Sequence, residues 1–233
     1  MIRPVALIQA RMGSTRLPGK VLTDVAGTTV LAHVVERVRA CRGLAGVRIA
    51  TTTSPADEAI VAEAVRLGVQ ASRGSEHDVL ERFVQAAQDA DWIVRVTADC
   101  PLFDPLLLEA MIARAGELLA GGSRVDYLAN GAQRGWPRGL DAEIVRMEAL
   151  RRAHREARRP YEREHVTPYL WRRPDRFSIA QLKQSPDLSD RRWTVDTPED
   201  FEFVSRVFYM LYPTMPLFGQ AEVESLAIER LAA

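Results

Sequence analysis

Cysteine is almost missing. Cys41 and Cys100 are the only two in 233 residues, and they stand far apart. That excludes a disulfide framework and points to a reducing compartment. Net charge is missing too. Lys+Arg and Asp+Glu number 31 each, which argues against bulk electrostatic binding of nucleic acid or of an anionic membrane. A local basic cluster can still serve a small anion. No apolar run approaches the length of a membrane span. The opening MIRPVALIQA is too short for the apolar part of a signal peptide and runs into RMGSTR, not a cleavage site. There is no internal repeat, no low-complexity tract and no Pro/Gly/Ser-rich linker. A soluble, cytoplasmic chain forming one continuous domain over 1–233 is therefore expected. His77 and His165 lack metal-ligand spacing, and no Cys/His cluster supports zinc. No G-x-S-x-G elbow supports a serine triad.

What is present is a rhythm. PVALIQA (4–10) is a short apolar run suited to a buried strand. TTVLAHVVERVRAC places Val30, Leu31, Val34, Val35 and Val38 on one helical face. GVRIATTT (46–53) is β-branched and reads as a strand. SPADEAIVAEAVRLG reads as a helix with Ser54 as N-cap, Pro55 at N1, Asp57 at N3 and Gly68 as the stop. VQASRGS, HDVLERFVQAAQDA, DWIVRVTADCPLFDP and PLLLEAMIARAGELLAGG continue as strand, helix, strand and helix. This alternation predicts an α/β fold with a mostly parallel sheet covered by helices on both faces. After Gly122 the rhythm changes. DYLAN, LDAEIVRM and RFSIAQLK read as strands of a smaller mixed sheet, with the charged helical stretch MEALRRAHREARRPYEREHVTPYLW among them. RWTVDTPEDFEFVSRVFYMLY returns to strand, turn and helix, with Thr197 as N-cap, Pro198 at N1 and Asp200 at N3.

In open α/β sheets ligands sit beyond the carboxyl ends of the strands. Four polar features fall at predicted strand ends: RMGSTRLPGK (11–20), SRGSEHD (72–78), TADCPLFD (97–104) and VDTPED (195–200). The first looks like a P-loop, G-x-x-x-x-G-K-[ST]. Five residues separate Gly13 from Gly19, however, and Val21 stands where the magnesium-binding hydroxyl belongs. A loop stiffened by Gly13, Pro18 and Gly19 and bearing Arg11, Arg16 and Lys20 suits an anion, although the same residues also suit a solvated surface loop. Asp104 is the better cap for the helix beginning at Pro105, which leaves Asp99 free. Thr197 likewise leaves Asp196 free. Two such carboxylates facing a cationic loop suit a hard cation.

These motifs carry a resemblance. LIQARMGSTRLPGKVL resembles the signature loop of the cytidylyltransferases that activate sugar acids, the CMP-KDO and CMP-acylneuraminate synthetases. RGSEHDVLERF, RVTADCPLFDP, GLDAEIV, EREHVTPYLW and RWTVDTPEDFEFV are similar, in the same order, to the spore coat polysaccharide biosynthesis protein F branch. The resemblance covers about 3 to 205. It implies a nucleotide-diphospho-sugar transferase (GT-A, Rossmann-like) α/β/α sandwich, with a mixed β/helical dimerisation or acceptor-binding part at about 123–185. It implies Mg2+, CTP and a sugar or sugar-acid acceptor whose hydroxyl attacks the α-phosphate and releases pyrophosphate, in surface or spore coat polysaccharide biosynthesis. It implies a homodimer, to which Tyr161, Tyr169 and Trp171 among arginines also point.

By the same resemblance, Arg11 and Lys20 would hold the β- and γ-phosphates, and the backbone of Ala10, Met12 and Gly13 would run beside base and ribose. Arg16, Thr97 and Ala98 would complete the nucleotide site, and Arg73 and Ser75 would close over the base. Asp99 and Asp196 would hold the metal. Asp141, Glu143 and His165 are candidates for the acceptor pocket or, equally, for a dimer contact. Two departures stand out. Gln9 replaces the proline of the acidic-sugar synthetases, as in the spore coat branch, and Ala98 replaces their usual glycine. Two other functions compete. A glycosyltransferase using a ready-made nucleotide sugar is disfavoured because DCPLFD lacks D-x-D spacing. A non-catalytic nucleotide binder is disfavoured by the joint presence of Arg11, Lys20, Asp99 and Asp196.

Overall fold

A computed structural model describes residues 2–131 and 135–231, with the side chains of the last turn and a half excluded. The chain runs β1 (Val5–Gln9), β2 (Asp24–Val25), β3 (Thr28–Thr29), α1 (Val30–Ala40), β4 (Gly46–Thr52), α2 (Glu58–Arg66), β5 (Gln70–Gly74), α3 (Val79–Ala86), β6 (Trp92–Thr97) and α4 (Pro105–Ala120). It continues through β7 (Tyr127–Ala129), β8 (Glu143–Arg146), α5 (Met147–Glu156), α6 (Pro160–Glu164), α7 (Pro168–Trp171), β9 (Ile179–Gln181), α8 (Pro198–Leu211) and α9 (Gln220–Leu231).

The sheet order is β5-β4-β1-β6-β8-β7-β9. β5, β4, β1 and β6 are parallel, β8 is antiparallel to β6 and to β7, and β9 is parallel to β7. The chain leaves β1 toward β4 and β5, then crosses to β6 on the other side. That reversal puts a crevice beyond the carboxyl ends of β1 and β6.

Period-2 alternation sorts the two faces. Ala6 and Ile8 pack with the apolar residues of α1, α2, α4 and α8, including all five of Val30, Leu31, Val34, Val35 and Val38. Val5 and Leu7 pack with those of α3, α5 and α7. The result is a three-layered α/β/α sandwich, as the alternation predicts. Among the described residues no helix is long and apolar enough to cross a membrane.

Four expectations are corrected. The later strands form no sheet of their own; β8 hydrogen-bonds along β6 and so extends the first sheet. The charged stretch after β8 is three helices, because Pro160 and Pro168 each open a new one. The helix after β4 begins with a 3-10 turn over Pro55–Asp57, Ser54 makes no side-chain cap bond, and Asp57 turns inward. RWTV is not a strand: Arg192 forms only an isolated bridge with Arg138. Gly139 is needed at that crossing, since its φ is +105° and a Cβ would stand 2.6 Å from the Trp193 carbonyl carbon.

Both expected caps of the last part hold. Asp104 accepts from Leu106 N at 2.8 Å, and Thr197 and Asp200 form a capping box. The C-terminal stretch, which the resemblance does not cover, is docked as well. Asp104 also accepts from Gln220 N at 2.8 Å. The buried Arg37 donates to the carbonyls of Phe103 and Pro216 at 2.6 and 3.1 Å and also to that of Phe218.

Candidate active site

The loop after β1 is shaped by its own backbone. Ala10 N still bonds Ala50 O at 3.2 Å, continuing the strand pairing by one residue. The carbonyl of Met12 then accepts from Ser14 N at 2.8 Å and from Gly19 N at 3.3 Å, closing the loop on itself. Gly19 takes φ +71°, which a glycine adopts without strain. Met12 N donates to Asp57 Oδ1 at 2.8 Å. A 3-10 turn over Lys20–Leu22 then turns Lys20 under the loop, where it is 7 % exposed.

Lys20 ends on three acceptors. Its Nζ donates to Asp99 Oδ2 at 2.8 Å, Asp196 Oδ1 at 2.7 Å and Val195 O at 2.6 Å. An ammonium has three N–H groups, so its donors are all used. Burial alone would lower its pKa. The charges of Asp99 and Asp196 and their hydrogen bonds outweigh that and raise it above 10.5. Asp196 responds in reverse: burial would raise its carboxyl, and Lys20, Arg16 and Arg192 pull it below 3.8. Arg16 reaches Asp196 Oδ2 at 3.1 Å and Arg192 reaches it at 2.9 Å.

Asp99 follows β6, as expected. Asp196 does not end a strand. Its segment is held because Val195 N donates to Asp99 O at 2.7 Å and Trp193 N to Arg138 O at 2.7 Å. The two carboxylates, 97 positions apart, therefore meet on one cation. Two hard oxygen donors on a shared positive charge fit a divalent cation of the magnesium type, which takes one or two carboxylates and completes its shell with water and phosphate. Among the described residues no group of three or more His, Cys, Asp or Glu could hold a metal. A metal here would depend on oxygens of a ligand.

Beside a 190 Å³ cleft walled by Asp99, Arg138, Arg192 and Thr194, two larger cavities open at this point. A smaller one of 260 Å³ is walled by Gln9, Arg11, Gly13, Arg16, Lys20, Ala98 and Asp99, among others. A larger one of 710 Å³ is walled by Arg95, Tyr127, Asn130, Asp141, Glu143, His165 and Trp171, among others. Thr97 and Asp196 line both. Of the expected nucleotide residues, Arg11, Gly13, Arg16, Lys20, Thr97 and Ala98 stand together. Arg73 and Ser75 line neither cavity. Arg73 is spent on the carbonyls of Thr52 and Ser54, at 3.0 Å each, and on Glu58. Ser75 Oγ accepts from Asp78 N at 3.0 Å. Their segment does reach the loop, through an Arg11–Glu76 ion pair at 3.6 Å. Asp141, Glu143 and His165 all face the larger cavity.

Sequence reasoning missed several residues, Arg95, Asp57 and Arg82 among them. Arg95 sits mid-strand on β6 and donates to Gln9 Oε1 at 3.0 and 3.2 Å and to Glu143 Oε2 at 2.6 Å. Glu143 also accepts from Tyr127 Oη and Thr167 Oγ1, at 2.6 Å each. An arginine on the inner face of an apolar strand was the available signal. Asp57 and Arg82 are each 1 % exposed. Both were read as helix residues, and nothing local marks them as buried. Cys100 lies beside Asp99, but burial pushes its thiol well above the usual range, so it stays protonated.

The sequence matches the family model described as cytidylyltransferase over residues 5–222. The chain is 34 % identical to spore coat polysaccharide biosynthesis protein SpsF of Bacillus subtilis over 212 residues, covering 87 % of this chain and 85 % of that one. It is 38 % identical over 126 residues to 3-deoxy-manno-octulosonate cytidylyltransferase of Anaeromyxobacter dehalogenans, covering 53 % of this chain and 50 % of that one. The solved structure of a cytidylyltransferase from Leptospira borgpetersenii superposes with a TM-score of 0.91 at 33 % identity, covering 99 % of this chain and 96 % of that one.

Proposed function

This chain belongs to the cytidylyltransferase family, and from that premise we propose that it transfers CMP from CTP to a hydroxyl of a sugar or sugar acid, releasing pyrophosphate. The observation that carries the reading is the meeting of the two cavities. Thr97 and Asp196 wall both, so a triphosphate in the smaller and an acceptor in the larger would touch across one point. That is the arrangement in-line displacement at the α-phosphorus requires, where positioning and charge neutralisation do most of the catalysis.

In this reading Arg11 and Arg16 face the outer phosphates. Both are about half exposed or more, and Arg11 is held only at 3.6 Å, so they can turn to a ligand. Lys20 keeps Asp99 and Asp196 together, and it reaches phosphate only by giving up one of its three acceptors. The acceptor hydroxyl oxygen forms a bond to the α-phosphorus while the bond to the β-phosphate oxygen breaks. The hydroxyl proton passes to water in the cleft as pyrophosphate leaves, and Asp196 lines both cavities at that point. Asp141, Glu143 and His165 orient the acceptor. When bound, a magnesium ion on Asp99 and Asp196 would draw charge from the α-phosphate. The homodimer, cytoplasmic location and polysaccharide pathway are part of the same proposal. The likeness to SpsF supports the pathway, and the exposed Tyr161 and Trp171, with Arg172 stacked over both rings, support the homodimer.

The test is a thermal-shift screen of the four ribonucleoside triphosphates with magnesium. Stabilisation grows as RT ln(1 + [L]/Kd), about 2.7 kcal/mol at a hundredfold excess over Kd. CTP should stand clear of the other three. A larger shift with another nucleotide, or none with any, ends the reading.

A further inference from the structure

Asp57 lies outside both cavities, yet its geometry is that of a bracket. Its carboxylate accepts four hydrogen bonds. Three converge on Oδ2 from the end of β4: Thr51 Oγ1 at 3.0 Å, Thr52 N at 3.0 Å and Thr52 Oγ1 at 2.5 Å. The fourth is different in kind. Oδ1 accepts from Met12 N at 2.8 Å, across 45 positions of sequence. One oxygen is thus fixed to the sheet and the other is presented to the backbone next to Arg11.

The consequence runs through one residue, whose amide and carbonyl belong to adjacent peptide units. The Met12 carbonyl holds both Ser14 N and Gly19 N, so orienting Met12 orients the two ends of the loop together. The second wall of the loop is fixed by a buried cation. Arg82 donates to Ser75 O at 2.6 Å, which anchors the segment bearing Glu76, and Glu76 pairs with Arg11. Burial lowers Arg82 to about 10, and among neighbouring charges Asp57 opposes that most. A buried anion behind one wall thus faces a buried cation behind the other.

We infer that Asp57 is a positioning residue for the nucleotide, presetting the 10–20 loop through the Met12 amide before any ligand arrives. A carboxylate is costly to bury, and its three β4 partners would hold the turn without Oδ1. The remaining oxygen is spent on the loop. The inference rests on the reading of that loop as the triphosphate site.

The experiment compares Asp57→Asn with Thr51→Val. Asparagine keeps the size but brings an NH2 against donors in either orientation. Thr51→Val removes one bond on the sheet side and none on the loop side. In Asp57→Asn the Kd and KM for CTP should rise about 10- to 100-fold, the effect of a charged hydrogen bond. The acceptor KM should change less than about twofold. Amide exchange should quicken over 10–20 and stay unchanged over 93–104. Thr51→Val should lower Tm and leave CTP affinity alone. The inference is overturned if Asp57→Asn loses Tm but keeps CTP affinity and loop protection, or if Thr51→Val weakens CTP equally. If Asp57→Asn does not fold, Met12→Pro removes the donor with the carboxylate still held by β4, and the same outcomes decide. Should wild type bind no CTP, the nucleotide reading fails by itself, and the exchange comparison still decides whether Asp57 sets the loop.

Discussion

At the end of β1 the 10–20 loop is held by its own backbone and by a buried carboxylate, and its one buried cation is fully bonded before any ligand arrives. Across Thr97 the larger cavity is assembled differently. Its polar groups come from β6, β7, β8, the segment joining β7 to β8 and that between α6 and α7, and its central pair, Arg95 and Glu143, satisfies itself through Gln9, Tyr127 and Thr167. His165 and Trp171 stand exposed at its mouth. In the proposed reading the first region is set for one shape of anion. The second is a polar frame whose contacts to a ligand come from its rim. Within this fold, the nucleotide half of the proposed reaction suits a preorganised loop, and the acceptor half suits side chains brought together from different strands and helices.

The largest way to break the comparison is Lys20→Ala. It leaves two partly buried carboxylates facing one another with nothing between them. Turnover should fall by about 10²–10³-fold, as on loss of a preorganised charge contact, while circular dichroism stays native. Near-normal pyrophosphate release would show that the loop side is not prearranged for catalysis. Arg11→Ala should cost about 10²-fold at most, since Arg11 is half exposed and held only at 3.6 Å. A KM effect on CTP without an acceptor effect keeps it on the loop side.

Glu143→Gln sharpens the other half. It removes the anion that Arg95, Tyr127 and Thr167 share, and stability should drop by about 1–3 kcal/mol. Acceptor KM should rise with the KM for CTP unchanged. A rise in both would mean the two regions are one. A smaller effect is pH-dependent. The lowered carboxyl of Asp196 contributes stability that is present above 3.8 and lost as pH falls through its folded value. The raised ammonium of Lys20 contributes stability that is present below 10.5 and lost as pH rises past its folded value. Lys20→Ala should therefore flatten both limbs of a Tm-against-pH curve, and unchanged limbs would contradict the shared-charge description. Light scattering gives the least perturbing check. A mass of twice the 26.0 kDa chain is expected, and a monomer at micromolar concentration would remove the dimer from the account.

The loop side was legible because its signals are contiguous. Gly13, Pro18 and Gly19 with three cations lie within ten residues, and the family resemblance they carry is borne out by the match over 5–222. The caps at Asp104 and Thr197 were legible because they are local, and by freeing Asp99 and Asp196 they pointed to the carboxylate pair. Asp196 was expected for the wrong reason. No strand delivers it; hydrogen bonds to Asp99 and Arg138 do, and such pairings leave no periodicity to read. Asp57 was misread because the N3 position of a helix and a buried bracket look alike in sequence. Arg95 was missed because a charged residue within an apolar strand announces a partner without naming it, and its partner Glu143 lies 48 positions away.

The central claim is that Asp99 and Asp196 act as one unit on a shared cation. The direct test is magnesium-dependent pyrophosphate release from CTP across a panel of sugar acids, for Asp99→Asn, Asp196→Asn and the double variant. Residues of one site couple strongly in such cycles. Each single substitution should reduce release by about 10²-fold or more, with CTP binding largely kept, and the double should be no worse than the poorer single. Full activity in Asp99→Asn, or losses that multiply, would contradict it.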